Sequence, residues 1–194
     1  MATRVYLREF YSGVDAATGD GYKLARTTRG SLSTSIVINP TNGSNNSVWT
    51  LTEGGSVTAW ITEALEPQTI SGTTTFNFWA SESQAQLNAY ASVELFKLPR
   101  GSTTETSIFG PVRDDVEMGT TSSALNWSDT LASVSFNKGD RIVIKALCAG
   151  GGTVSNNGPR TATLYYGGST ADAEGDSWIE FPDLVFQQRN ISGT

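Results

Sequence analysis

GDRIVIKALCAGGGTVSNNGPRTATLYYGG, residues 139–168, sets two strand-forming runs on either side of a loop of Gly, Ser, Asn and Pro. In DRIVIKAL (140–147), Ile142, Ile144 and Ala146 fall on one face of an extended chain, and Arg141 and Lys145 on the other. A period of two with one apolar face is what an antiparallel sheet needs when only one side is buried. The second run, RTATLYYG (160–167), has the same β-branched and aromatic bias. Read together, the two runs predict two sheet strands with a loop of little side-chain bulk between them. Asn156 and Asn157 stand in that loop as candidate partner contacts, because such a loop allows close approach to another surface.

Outward from this stretch the same pattern recurs. RVYLREF (4–10), STSIVIN (33–39), SVTAWITE (56–63), TTTFNFWAS (73–81), NAYASVELFKL (88–98), LASVSFN (131–137) and DSWIEFPDLVF (176–186) all read as strands. Val57, Ala59 and Ile61 share one face of the third run, and Phe76 and Phe78 one face of the fourth. The connections NPTNGSNNS, TEGG, ISGT, PRGS, NKGD and STADAEGD are built from turn-forming residues. Only ASESQAQLNAYA (80–91) has a short helical character. The expectation is an all-β fold: an antiparallel, jelly-roll-like β-sandwich with an extended N-terminal arm. The boundaries are 1–32 for a basic segment and docking arm, 33–188 for the sandwich and 189–194 for a flexible tail.

Composition narrows the chemistry. The 194 residues include 20 glycines, a single cysteine and no histidine, with a net charge of −6. The acidic balance opposes general nucleic-acid binding. No apolar run reaches the length of about 18 residues that spans a bilayer, and MATRVYLREFYSG lacks a secretory core, so the expected origin is the cytoplasm. Without histidine, neither a Ser-His-Asp nor a Cys-His arrangement can be built from this chain alone. Cys148, in KALCAGG, reads as a small buried hydrophobe. No catalytic residue, metal ligand or cofactor site is assigned.

Three groups of side chains remain as candidates. Residues 1–32 hold five basic side chains (Arg4, Arg8, Lys23, Arg26 and Arg29) against three acidic ones, whereas the remainder holds 8 basic and 16 acidic. That asymmetry makes these five cations candidate contacts to an acidic neighbour, or else a solvated edge strand. Trp127, Tyr165 and Tyr166 are the candidates for an alternative carbohydrate platform, with Trp127 the ring expected to be exposed. The acidic runs RDDVE (Asp114, Asp115, Glu117) and ADAEGD (Asp172, Glu174, Asp176) resemble a weak calcium loop or a pair of hydrolase carboxylates; polar turns explain them as well.

FNFWASES (76–83), GDRIVIK (139–145) and TLYYGGSTADAEGDSWIEF (163–181) resemble β-sandwich proteins of tailed bacteriophages and prophages, over roughly residues 33–186. The resemblance implies a non-enzymatic virion protein, assembled in the host cytoplasm. Its implied role is capsid decoration (cement), stabilising the shell by docking on major capsid subunits. A glycan-binding adhesion module or a neck or tail accessory protein is the alternative. It further implies a dimer or trimer, contacts with other virion proteins or a host glycan, and no nucleic acid or membrane. A carboxylate hydrolase is the third reading that the residues leave open.

Overall fold

The structure is a computed structural model and describes residues 1–11, 21–38, 48–50, 52–53, 56–57, 59–150 and 161–188. In chain order its strands are β1 (Thr3–Tyr11), β2 (Lys23–Arg26), β3 (Thr34–Ile38), β4 (Val48–Thr50), β5 (Thr52–Glu53), β6 (Ser56–Val57), β7 (Ala59–Ile61), β8 (Gln68–Glu82), β9 (Ala89–Leu98), β10 (Thr106–Glu117), β11 (Ser123–Phe136), β12 (Arg141–Gly150), β13 (Ala162–Tyr166) and β14 (Trp178–Phe181). The expected helical stretch supplies one 3-10 turn, Ala85–Leu87. The fold is all-β.

Two long strands organise the pairing. β8 runs beside β11 along one edge and takes β14 and then β13 along the other. β12 runs beside β9 along one edge and takes β7 and then β4 along the other. The two limbs join through β14, β1, β2 and β7, which makes one hydrogen-bonded path from β10 to β3. Every described pairing in it is antiparallel except β2 with β7.

Alternation fixes which side chains each limb turns inward. Val5 and Leu7 of β1, Phe76, Phe78 and Ala80 of β8, Ile179 and Phe181 of β14, Val93 and Leu95 of β9, and Ile142, Ile144 and Ala146 of β12 all belong to one buried cluster. Each large side chain so buried contributes about 1.5–3 kcal/mol relative to exposure. Trp60 sits within it, fully buried, with its ring edge-on to Tyr166 at 5.1 Å and its Nε1–H donating to the Arg8 carbonyl at 3.1 Å. The outer face of β12 carries a satellite cluster in which Val143 meets Tyr22, Ala59, Ile61, Leu98 and Phe96.

The described residues of the 1–32 segment differ from the expected docking arm. β1 lies between β2 and β14, in register from Thr3 opposite Phe181 to Tyr6 opposite Trp178, and its Val5 and Leu7 are core residues. The physical reason is the alternation itself: a segment with apolar residues at every second position buries that face once a strand edge is available. The tail at 189–194 lies outside the described residues.

β2 and β10 were not legible as strands. β10 ends the hydrogen-bonded path and carries Gly110, Pro111 and two adjacent aspartates, with register shifts at Ser107/Phe109, Phe109/Val112 and Arg113/Glu117. Proline is tolerated at such bulged, outer positions because no ladder donor is required there.

Candidate functional site

Two surfaces carry chemistry. The first is the outer face of β1, β14 and β8. With Val5, Phe76, Phe78, Ile179 and their neighbours turned inward, Arg4, Tyr6, Asn77, Trp79, Trp178 and Glu180 occupy the other side. The Arg4 guanidinium lies 3.7 Å from the Trp178 ring centre and pairs with Glu180 at 3.0 Å. Arg29 stands 4.8 Å from the centre of the Tyr6 ring and binds Asp176 through Nε at 2.9 Å. Cation–ring contacts of this kind contribute about 0.5–1 kcal/mol where solvent reaches them.

Asp176 is a structural anchor. Its side chain is fully buried, its Oδ2 accepts the Asp172 amide at 2.9 Å and its carbonyl accepts Asn77 Nδ2 at 2.8 Å. Ser177 adds a relay: its hydroxyl donates to the Tyr165 carbonyl and accepts the Trp79 amide, stitching β13 to β8.

The five N-terminal cations are therefore engaged within their own fold. Besides Arg4 and Arg29, Arg26 pairs with Glu63 at 3.5 Å, Arg8 donates to Thr28 Oγ1 at 3.5 Å, and Lys23 is buried over the Tyr166 ring. Asn156 and Asn157 lie outside the described residues.

The three candidate sugar-binding rings do not converge. Trp127 turns inward and stacks on Phe76 at 5.0 Å, edge-on to Phe78 at 5.3 Å. Tyr166 is core, and Tyr165 is half-buried, its hydroxyl 3.2 Å from that of Ser81. Trp127 misled because its sequence neighbours are polar; in a strand, the neighbours at i±1 lie on the opposite face.

The acidic runs also stay apart. Asp176 is neutralised by Arg29, Glu174 binds Ser122, and Asp172 is exposed. Asp114 is buried while Asp115 beside it is exposed. Among the described residues no three of Cys, Asp and Glu gather as metal ligands would. Cys148 is buried, and its thiol is pushed up to about 12 by desolvation, so it is held in the unreactive protonated form.

The second surface is a cleft of about 490 Å³ where the 99–102 and 137–140 turns meet. Arg100, Lys138 and Arg141 line it, and no acidic side chain does. Asp140 holds the two turns together, accepting Asn137 N–H at 2.8 Å and Arg100 N–H at 3.1 Å and pairing with Lys97 Nζ at 3.0 Å. Burial pushes its carboxyl up, but these two amides and Lys97 outweigh burial and keep it below the usual aspartate range. A second cleft of about 580 Å³ shares Lys138 and Gln187 with the first and continues over Val185 and Phe186. Sequence reasoning marked PRGS and NKGD only as turns. The available signal was a cation next to a glycine in each.

Comparisons with known proteins bear on the fold. No protein-family model and no curated protein sequence matches the chain. Solved structures do. An aminopeptidase from a marine sediment Thaumarchaeota archaeon is similar over 95% of this chain and 37% of its own, at 13% identity and a TM-score of 0.53. An α-amino acid ester hydrolase is similar over 93% of this chain and 36% of its own, at 13% identity and a TM-score of 0.56. A CocE/NonD family hydrolase from Staphylococcus aureus covers 95% and 36%, at 11% identity and a TM-score of 0.51. The chain thus spans little more than a third of each of these proteins.

These likenesses correct two expectations. The non-enzymatic virion protein, whether capsid decoration, adhesion module or neck and tail accessory, is overturned as the reading of this fold, because the similar structures are hydrolases. The blocks that carried the resemblance are strand alternation and Gly-Asp turns. Those are requirements of the sheet and recur wherever such a sheet is used. The fold has hydrolase examples, and it is the fold alone that the likeness shows.

Proposed function

We propose that this chain is the β-sheet module of an ester- or amide-hydrolysing system, packing its outer β1–β14–β8 face against a catalytic unit. One observation carries the reading: 93–95% of this chain superposes on only 36–37% of an aminopeptidase and an α-amino acid ester hydrolase. The chain has no histidine, so an imidazole base for acyl transfer comes from the catalytic unit. The module's share is positional, holding a wall beside the reacting groups where small displacements alter rate strongly. The outer face suits docking, since the half-buried Tyr6 and Trp79 supply area, while Arg4, lying over the buried Trp178, and Glu180 supply direction.

The test retrieves the tagged chain from its native extract and assays α-amino acid esters and peptide anilides. Recovery of hydrolytic activity by the unaltered chain, with loss after Arg4→Ala combined with Trp178→Ala, supports the reading. Retrieval of no such activity, or equal recovery by the doubly substituted chain, overturns it.

A further inference from the structure

We propose that the paired cleft at the 99–102 and 137–140 turns binds a carboxylate joined to an apolar group, as found at the carboxyl end of a peptide with an apolar last residue or in a short fatty acid. The first observation is charge. In a chain of net charge −6, the first of the two clefts gathers Arg100, Lys138 and Arg141 and includes no acidic side chain in its lining. Neither the Arg100 nor the Lys138 side chain forms an ion pair among the described residues. Arg141 is held in place by donating from Nη1 to the Thr62 carbonyl at 2.9 Å. The nearest acid in the sequence, Asp140, is buried and already occupied by two amides and Lys97.

The second observation is preorganisation. Gly139 has φ +92°, and a Cβ there would stand 2.6 Å from Arg100 Cδ, so the Arg100 stem lies directly against bare backbone. Asp140 fixes both turns beneath it. A guanidinium positioned in this way loses less freedom when it takes a carboxylate in its two-pronged geometry.

The third observation is the adjoining apolar wall. The cleft continues past Lys138 and Gln187 to Val185, which is 51% exposed, and Phe186, which packs on the core. Gln187 is fixed by its N–H to the Ala64 carbonyl at 2.8 Å and its Nε2 to the Leu65 carbonyl at 3.2 Å. Glu66 lines this second cleft and not the first, and repels a second anionic group there. An anionic head and an uncharged apolar body match this division. The two volumes, about 490 and 580 Å³, fall in the range of small-molecule sites.

The inference does not depend on the hydrolase reading, because its test measures binding to the chain itself. Calorimetric titration with N-acetyl-leucine, N-acetyl-leucinamide and hexanoate is the direct experiment. The acid should bind at least about tenfold more tightly than the amide, a difference of about 1.4 kcal/mol. Arg100→Ala and Lys138→Ala should each weaken it several-fold, with circular dichroism unchanged. Binding of N-acetyl-leucine but not hexanoate assigns the site to a peptide end; binding of both assigns it to apolar carboxylates generally. Equal affinity for acid and amide, no binding of either acid at millimolar concentration, or full affinity after Arg100→Ala combined with Lys138→Ala overturns the proposal.

Discussion

The turn region around Asp140 and the edge strand around Asp114 bury an aspartate each, to 2% and 3% exposure, and treat it in opposite ways. Asp140 receives two backbone N–H groups and a lysine. Asp114 receives the Val116 amide at 3.1 Å on one oxygen, while its other oxygen is buried with no partner among the described residues. Burial therefore prevails at Asp114 and pushes its carboxyl above the usual range, helped by the neighbouring charge of Asp115. At Asp140 the partners prevail. Depth alone does not decide the state of a buried acid; the count of donors does. One acid fastens two turns, and the other is carried by the fold as a cost at neutral pH.

The largest expected effect tests the fastening. Asp140→Ala strands two amide donors and Lys97, and urea unfolding at pH 7 should show a loss of about 3 kcal/mol at unchanged m-value. Because the folded-state value of Asp140 is depressed, its contribution is complete above the unfolded value of about 3.9 and disappears as pH falls through the folded value. The gap between wild type and variant should therefore close in strong acid. A variant as stable as wild type at pH 7 would break the comparison.

Next comes the backbone beneath Arg100. Gly139→Ala should cost about 2 kcal/mol, since φ is positive and the added methyl meets the arginine stem. Gly101, at φ +74° with nothing within 4 Å of a Cβ, separates the two causes. Gly101→Ala should cost about 1 kcal/mol from conformation alone. Thermal midpoints of the two variants give the difference.

Asp114→Asn should produce a gain of about 1 kcal/mol at pH 7, read by the same urea titration. The sign follows from a raised folded-state value: the stabilising contribution of the protonated form is present at low pH and lost as pH rises through that value. The gain should vanish below about pH 4, where the wild-type carboxyl is protonated in the folded and the unfolded states alike. A loss of stability at pH 7 would mean that the second oxygen of Asp114 has a partner in solution.

Much of the fold was readable because alternation is a local property. Ile142, Ile144 and Ala146 in the core and Arg141 and Lys145 outside it follow directly from DRIVIKAL. What alternation cannot supply is partnership. Nothing in RVYLREF states that Arg4 will lie on Trp178, 174 positions away in the sequence, and so the N-terminal cations read as free for a neighbour. Trp127 failed by the same rule in reverse, since the polar residues beside it describe the opposite face. The cleft was hidden because its cations come from two turns that meet only through Asp140.

The seam of β1 with β14 has a consequence for the birth of the protein. Thr3 to Tyr6 lie opposite Phe181 to Trp178, so one border of β1 stays without its ladder until residues 178–181 have left the ribosome. Chains dominated by such distant pairings fold on the scale of milliseconds to seconds. A nascent chain stalled before residue 178 would expose that border to any strand that came near, and chaperone demand should peak at that stage of synthesis.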